Sequence, residues 1–450
     1  MPRARMTVAA AALAGMLLAG CGKGDGGSSG AGEGRQGAGA GGSAAPVKLS
    51  VPPAYDGAKG WDQEIGWVPR DADADPVATD GKTVAYIIRS GDGYAVQARD
   101  GATGKVRWTS APYRTPPAED RHAQWAMLTP RLTAVRQGGR TYFAAWAVGE
   151  QPGDALTKSQ EVTQIGIYPA DASGGSVEPL HDLSVPDDGL RSGLIRVRDS
   201  GAGLLITWET ADEHSVAVDA VTGAVKRYDD ANGLPGCSDC WDSAVVAVTT
   251  KGPVVSGRPG GLTVPGGWTG KDIAPKNVKD GETGTLTGVN DGVFVARWRQ
   301  ATDTDGTDAP VWSVHDLESG RLLVGAECDN GRDDDDARTL VRSPNGTYAA
   351  FGSVVFDVKA GRTLCLTGEG NRRTIEVVAL ADDGTAYGVT GTDISAEVST
   401  RPAVEVNVGT GSPRALPEGT LAPFATLPGG AVFTQRENGA GMRLSVRRKR

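Results

Sequence analysis

Val96-Gln97-Ala98-Arg99-Asp100-Gly101-Ala102-Thr103-Gly104-Lys105-Val106-Arg107-Trp108 reads as a strand, a tight turn and a second strand. Asp100 opens the turn, Gly104 supplies a positive-φ position, and Lys105 starts the return. The same punctuation, a turn residue four places before a glycine, recurs at Asp171/Gly175, Asp219/Gly223, Asp316/Gly320, Asp357/Gly361 and Asn407/Gly411. A degenerate copy, Gly266-Gly267-Trp268-Thr269-Gly270-Lys271, has Gly266 in the aspartate's place. The steps from one turn to the next are 71, 48, 47, 50, 41 and 50 residues. A period near 48 with one long insertion is that of a four-stranded propeller blade. A unit of this size must stack on its neighbours to bury its sheet faces. The expectation is an all-β chain, a β-propeller of eight, alternatively seven, four-stranded blades.

The rest of the chain keeps to that pattern. Short runs of β-branched and aromatic residues are bounded by Gly, Asp, Asn and Pro, and no long amphipathic helix interrupts them. Val84 to Arg89 and Tyr94 to Ala98 form a hairpin over Ser90-Gly91-Asp92-Gly93, and Lys105 to Thr109 is the outer strand. Each blade thus has four strands in order, with the recurring turn between the third and the fourth. Ala244 to Ala274 is the poorest unit, with two Pro-Gly contexts and no aspartate at its turn; if it is an elaborated loop, the count is seven.

The two ends complete each other. Leu421 to Phe424, Ala431 to Gln435 and Met442 to Val446 are three strand-like runs, and the chain stops where the next turn is due. Glu64-Ile65-Gly66-Trp67-Val68 is strand-like with no partner in its own unit. The N-terminal strand is therefore expected to be the fourth strand of the last blade, closing the ring and removing an edge open to aggregation.

Before the propeller lie two segments of another kind. Arg3 and Arg5 precede an apolar run from Thr7 to Gly20 that is too short to span a membrane. It ends in Leu18-Ala19-Gly20-Cys21, which resembles a bacterial lipobox. The resemblance implies cleavage before Cys21, a diacylglycerol thioether on its sulfur, and a protein tethered on the extracytoplasmic side of the cell membrane. Gly22 to Ala45 holds 11 glycines in 24 residues, the composition of a flexible tether. The expected organisation is a signal peptide over 1–20, a tether over 21–45 and a single propeller over 46–450.

Charge excludes one class of partner. The formal net charge is −9, and residues 1–20 contain two arginines and no acid, so the exported chain is more acidic still. No basic field is present to recruit phosphates, and nucleic acid is not an expected ligand. Arg447-Arg448-Lys449-Arg450 is a short basic end, read as a solubilising tail.

Ala98 to Trp108, repeated in weakened form, resembles the blades of PQQ-binding-like (quinoprotein alcohol dehydrogenase-like) β-propellers. Together with the lipobox, the glycine-rich tether and the segment Lys48 to Asp56 continuing to Gly60-Trp61, it resembles propeller lipoproteins of high-GC Gram-positive bacteria. In that family's dehydrogenases a disulfide between adjacent cysteines packs on the quinone, and acidic and amide groups hold Ca²⁺. This chain has no adjacent cysteines. The resemblance implies the fold; neither PQQ nor Ca²⁺ is assigned.

Candidate chemistry is sparse. Beyond Cys21 there are four cysteines, an even number in an exported chain, which favours two disulfides. Four cysteines allow three pairings; Cys237–Cys240 as a local clip and Cys328–Cys365 as a staple between neighbouring outer strands are favoured. A redox role for Cys237 and Cys240 wants a helix N-terminus, yet Leu234-Pro235-Gly236 reads as a loop, and no second C-x-x-C completes a zinc site. Asp303, Asp305 and Asp308 are weak Ca²⁺ candidates lacking a distal Glu, and Asp333 to Asp336 place four carboxylates together that cannot all point inward. Both stretches are read as solvated loops. His122, His181, His214 and His315 fall in separate units, and no catalytic set assembles. The ten tryptophans are read chiefly as propeller core and inter-blade packing; Trp125, Trp146, Trp208 and Trp298 sit in or beside inner-strand candidates, from which a few would line the channel mouth.

The reading is a monomeric, non-enzymatic, lipid-anchored propeller that presents one face to an envelope protein or a small ligand. Its rivals are a quinone- or metal-dependent oxidoreductase of the same fold and a sensor or assembly lipoprotein of an envelope complex. Replacing Cys21 with Ser is expected to move the protein out of the membrane fraction and abolish lipid labelling; unchanged fractionation and labelling would remove the anchor.

Overall fold

A computed structural model describes residues 46–69, 76–117, 129–187, 195–208, 214–228, 234, 243–257, 261–302, 308–329, 339–368, 370–391, 401–436 and 441–450. β1 (Tyr55–Ile65) comes first in the chain and last in the ring. The first blade is β2 (Val77–Thr79), β3 (Thr83–Ser90), β4 (Gly93–Asp100) and β5 (Val106–Ser110). The second is β6 (Arg131–Gln137), β7 (Arg140–Gln151), β8 (Gln160–Pro169) and β10 (His181–Pro186); between its last two strands, β9 (Gly174–Val177) leaves to pair in parallel with β5. The third is β11 (Ile195–Asp199), β12 (Leu204–Trp208), β13 (Ser215–Val218) and β14 (Val225–Tyr228).

A reduced sheet of two strands follows, β15 (Ser243–Thr249) and β16 (Gly252–Gly257). Isolated bridges Val255–Thr263 and Thr263–Thr269 extend it, and the one-turn helix α1 (Gly270–Ile273) ends it. This is the unit whose sequence is poorest. Proline cannot donate to a ladder, and the Pro-Gly contexts limit regular pairing here. Leu262, Val264 and Trp268 nonetheless fill the space that outer strands would occupy, packing on Phe294 and Trp298.

The fourth blade is β17 (Thr285–Asn290), β18 (Val293–Trp298), β19 (Val311–Asp316) and β20 (Leu322–Glu327). The fifth is β21 (Val341–Arg342), β22 (Tyr348–Phe351), β23 (Val354–Asp357) and β24 (Arg362–Cys365). The sixth is β25 (Ile375–Leu380), β26 (Thr385–Thr390), β27 (Ala403–Asn407) and β28 (Ser412–Ala415). The seventh is β29 (Ala425–Leu427), β30 (Gly430–Arg436), β31 (Met442–Lys449) and β1. Seven blades are complete, the smaller of the two expected counts, and the reduced sheet stands between the third and the fourth.

The core is not a single cluster. Buried side chains gather into separate groups, each at a seam between neighbouring sheets, such as Trp108, Phe143 and Tyr168 between the first and second blades. The recurring turn serves these seams twice. Asp100 accepts hydrogen bonds from Thr103 N at 2.8 Å and Thr103 Oγ1 at 2.7 Å, while Gly104 N donates to Asp100 O at 2.8 Å with Gly104 at φ +72°. A Cβ on Gly104 would lie 2.6 Å from Trp61 of the preceding blade, so the glycine is also a seat for that ring. Trp61 Nε1 donates to Gly101 O in the same turn at 3.2 Å. The arrangement repeats: His181 Nε2 donates to Val221 O at 2.9 Å, and Trp268 Nε1 to Leu317 O at 3.3 Å.

Two copies of the motif depart from this. Asp171 pairs with Arg140, and the chain passes into β9 instead of closing a tight turn; the positive φ is at Gly174, not Gly175. In the degenerate copy Gly270 begins α1, with Asp272 accepting hydrogen bonds from Thr269 N and Oγ1.

The ring closes as its ends suggest, with the strand displaced. β1 runs from Tyr55 to Ile65, ending where the expected strand began, and pairs antiparallel with β31 from Tyr55–Lys449 to Ile65–Met442. A bulge at Gly60, where a Cβ would lie 1.8 Å from Val446 O, bends it onto its partner. The basic end is a solvated tail only in part: Arg448, Lys449 and Arg450 are exposed, and Arg447 is buried. Arg447, at 0% exposure, donates to Val47 O, Gly57 O, Trp61 O and Val446 O at 2.7–3.1 Å and pairs with Asp62 at 2.7 Å. Lys449 pairs with Asp383, and Arg450 Nε donates to Tyr55 O. Arg447 and Arg450 thus staple the last strand to residues 47–62, and Lys449 ties it to the sixth blade.

His315 is also spent on a seam. It stacks on Phe294 with ring centroids 4.9 Å apart, donates from Nδ1 to Gly320 O at 3.0 Å and accepts at Nε2 from Ser313 Oγ at 2.7 Å. Burial pushes its pKa down to about 4.

Two outcomes follow from this packing. A chain beginning at Arg70 should melt far below one beginning at Pro46, because it loses β1 and leaves the Arg447 guanidinium buried without its partners, a loss of about 3–5 kcal/mol for a broken buried ion pair. Equal melting temperatures would refute closure by β1. As pH falls from about 6.5 to about 4, the unfolded state takes up a proton at residue 315 that the native state refuses, so stability should fall by about 1.4 kcal/mol per unit across that window. The imidazole resonances of His315 should titrate near pH 4 and not near 6.5.

Candidate functional site

The two faces of the ring are built differently. On one face lie the turns between first and second strands, such as Gly138–Gly139, Thr250–Lys251, Asp291–Gly292 and Pro428–Gly429, together with the recurring third-to-fourth turns. These turns hold one another. Gln137 Nε2 donates to Asp219 Oδ2 at 2.8 Å and Ala220 N to Gln137 Oε1 at 2.8 Å, while Thr250 N and Oγ1 donate to Glu318 at 2.8 and 2.7 Å.

At the middle of this face, side chains from blades that are not neighbours meet. Arg136 of the second blade lies 2.6 Å from Asp291 Oδ2 of the fourth. Arg342 of the fifth blade donates to Asp291 O at 2.6 Å and Oδ2 at 3.1 Å. Asp199 of the third blade accepts from Gly201 N at 2.9 Å and from Asp291 N at 3.4 Å. Burial raises the Asp199 pKa to about 6, against the lowering effect of these backbone donors. Burial also draws the Arg342 pKa down, with Asp291 opposing it. This network crosses the axial end of the ring on the tight-turn face, and its groups are occupied with one another.

On the opposite face, the second-to-third strand connection 152–159 is described in full; residues 299–302 and 308–310, 391 and 401–402, 111–117 and 129–130, and 328–329 and 339–340 are the described ends of the other connections there. The β7–β8 hairpin carries the 152–159 turn. Asp154 Oδ1 accepts from Leu156 N and Thr157 N, each at 2.8 Å, and this fixed turn holds the Leu156 side chain out at 96% exposure.

A cavity of about 490 Å³ opens at the seam between the first and second blades. Tyr113, Arg114, Gln164, Tyr168, Glu178 and Asp182 supply its polar lining, with Ala145, Ala147 and Gly166 as its small residues. The β-strand register explains it. Phe143–Tyr168 is the row that packs on Trp108; the next row is Ala145–Gly166–Asp182 and the next Ala147–Gln164, too small to fill the seam. The Tyr113 hydroxyl is shut off from solvent with no hydrogen-bond partner, and burial raises its pKa well above the usual tyrosine value. Tyr168, hydrogen-bonded to Ser110, is pushed up to about 12, first by burial and further by the charges of Asp182 and Glu178. Sequence reasoning missed this site. Its only signal was the run of small residues in Phe143-Ala144-Ala145-Trp146-Ala147, which reads equally well as packing.

Of the residues singled out from sequence, Cys21, Cys237, Cys240, Asp303, Asp305, Asp333 to Asp336, His122 and Trp125 lie outside the described residues. Cys328 and Cys365 are joined in a disulfide with Cα atoms 5.8 Å apart, linking the ends of β20 and β24 as expected of a staple between outer strands. Asp308 accepts a hydrogen bond from Thr302 Oγ1 at 3.2 Å. His181 and His315 belong to seams, as above. Trp146, Trp208 and Trp298 belong to the inter-blade packing and do not reach a channel mouth: they stand on second strands, buried between sheets, with Trp298 Nε1 donating to Ser313 at 2.6 Å. A large ring is better hidden between two sheets than on the crowded inner strands.

No family model and no curated protein matches the chain. Among solved structures it is similar to the uncharacterized protein lmo1340 from Listeria monocytogenes EGD-e, at 7% identity over 86% of this chain and 94% of that one, with a TM-score of 0.35. It is similar to the polysaccharide lyase Uly1 at 11% identity over 84% and 90%, with a TM-score of 0.39. A third likeness is the WD40 domain of Toxoplasma gondii coronin, at 10% identity over 90% and 89%, with a TM-score of 0.30. None of these likenesses bears on what this chain binds or does.

Proposed function

We propose that this protein is an extracytoplasmic lipoprotein, tethered to the cell membrane through Cys21, whose propeller acts as a non-enzymatic scaffold for an envelope protein or small ligand. The observation that carries the reading is the inequality of the two faces. The tight-turn face spends its polar groups on holding blades together, from Gln137–Asp219 to Arg136–Asp291–Arg342. The long connections leave from the other face, and loops on a rigid ring are where such folds bind. The tether of residues 22–45, rich in glycine, gives the ring reach from the membrane.

Leu156 is the reporter for the binding face and Thr222, exposed in a tight turn, for the other. A photo-crosslinking residue at position 156 in intact cells should capture an envelope protein or envelope polymer, and the same residue at 222 should capture none. Equal capture at the two positions, or capture at 222 alone, would overturn the assignment of the faces. Capture at 156 that is lost when Cys21 is replaced by Ser would show that tethering is needed for the encounter.

A further inference from the structure

We propose that the Arg136–Asp291–Arg342 bridge is a latch that holds the ring together across its incomplete unit, and that the junction of the third blade with the reduced sheet is the hinge this latch keeps shut. The proposal does not rest on the scaffold reading, and its test needs no partner.

The reduced sheet is the weak place in the ring. It has two ladder strands where a complete blade has four or more. It is also joined unequally to its neighbours. Toward the fourth blade, Leu262, Val264, Trp268 and Ile273 pack on Phe294 and Trp298, and Trp268 stacks on Phe294 with ring centroids 5.5 Å apart. Toward the third blade, the buried cluster among the described residues is Leu205, Ala217, Tyr228, Val245 and Val255, with a single aromatic ring. The described hydrogen bonds across that junction join first strands and the turn after them: Val248 N donates to Ser200 O and Arg198 Nη2 to Val246 O, each at 3.2 Å. The reduced sheet therefore belongs to the fourth blade, and the ring's thin junction lies on its other side.

On the tight-turn face the third and fourth blades meet directly, past the reduced sheet. Leu317 lies against Gly201, where a Cβ would be 2.1 Å from the leucine Cδ2, and Asp291 N donates to Asp199 Oδ2 at 3.4 Å. Arg136 of the second blade reaches Asp291 Oδ2 at 2.6 Å, and Arg342 of the fifth reaches the same oxygen at 3.1 Å. The turn frees the carboxylate for this. Asp291 and Gly292 have φ +49° and +74°, the positive pair of a two-residue hairpin turn. In the first blade the corresponding Asp80 spends its Oδ1 on its own turn, accepting from Lys82 N at 2.8 Å. Asp291 instead takes guanidinium groups from two other blades. One residue thus ties the second, third, fourth and fifth blades. With the bridge made, they cannot part at this end; with it broken, the thin junction opens first, as elements with few apolar contacts do.

Native-state hydrogen exchange of the chain from Pro46 tests this. The amides of β15 and β16 report the hinge, and those of β26 and β27 in the sixth blade serve as the remote control. Asp291→Asn, which keeps a residue that tolerates positive φ, should speed exchange in β15 and β16 about tenfold and leave the control unchanged. Arg136→Gln should speed it about fivefold, the size of one partly exposed ion pair, and keeps the test open if Asp291→Asn fails to fold. Arg140→Gln, which breaks an exposed pair with Asp171 inside the second blade, should leave it unchanged. About 1 M salt should reproduce the effect in the parent and add little in Asp291→Asn, because a partly exposed bridge is screened. The proposal is overturned if either latch variant folds and leaves the exchange of β15 and β16 unchanged. It is likewise overturned if exchange rises equally in β26 and β27, which marks a general loss of stability.

Discussion

Closing the ring is the constraint on which the rest of the molecule depends. A stack of sheets has two ends, and each end sheet would present bare backbone donors and acceptors to water and to other chains. Here the last sheet borrows its outer strand from the start of the chain, and a buried arginine holds the loan. Arg447 cannot be solvated at 0% exposure, so its charge is stable only while Asp62 and four carbonyls surround it, three of them in the N-terminal segment. The bulge at Gly60 lets the N-terminal strand approach closely enough to supply them. Folding of the closing blade and docking of the N-terminal segment are therefore one event.

Once closed, the ring is held by its seams, and the recurring turn is what makes the seams regular. The aspartate collects the backbone donors of the turn and the glycine turns the chain; the glycine, having no side chain, also gives the preceding blade's Trp or His a flat seat, while another carbonyl of the turn, at Gly101, Val221 or Leu317, accepts from that ring. One short motif thus fixes both a hairpin and an inter-blade contact. Where the aspartate is diverted, at Asp171, the chain wanders into a fifth strand on the neighbouring sheet. Where it is missing, at Gly266, the blade shrinks to two ladder strands and a helical turn. The cavity lies beside the divergence at the second blade: Glu178 and Pro179, which follow β9, and the segment after β5 border a patch of small residues on β7 and β8.

The division between faces has the same origin. Most third-to-fourth turns lock neighbouring blades and keep one length, whereas the connections on the other face share no common lock, though the Cys328–Cys365 disulfide ties one of them. Polar groups on the locked face answer one another across the ring axis, as Arg136, Asp199, Asp291 and Arg342 do. Variation in length is left to the opposite face and to the seam where the repeat was broken.

The fold was legible in the sequence because it is periodic. Asp100 and Gly104 have a local meaning that needs no knowledge of the rest, and repetition of that meaning at a blade's spacing implies the ring. The closing strand was legible for a related reason: a missing strand at one end and a spare one at the other balance, although its position, Tyr55 to Ile65, was set by the pairing with β31 and not by local propensity. The weakness of the Ala244 to Ala274 unit was visible in its prolines and glycines. What only the tertiary structure decided is where non-repeating side chains finish. Arg447 reads as a solvated tail until the N-terminal segment wraps it, the place of His315 in a seam is invisible until Phe294 stacks on it, and Ala145 with Gly166 reads as packing until a void is left beside them. Local geometry repeats along the chain and can be read from it; burial is a property of pairs of blades, and it exists only after the ring has brought them together.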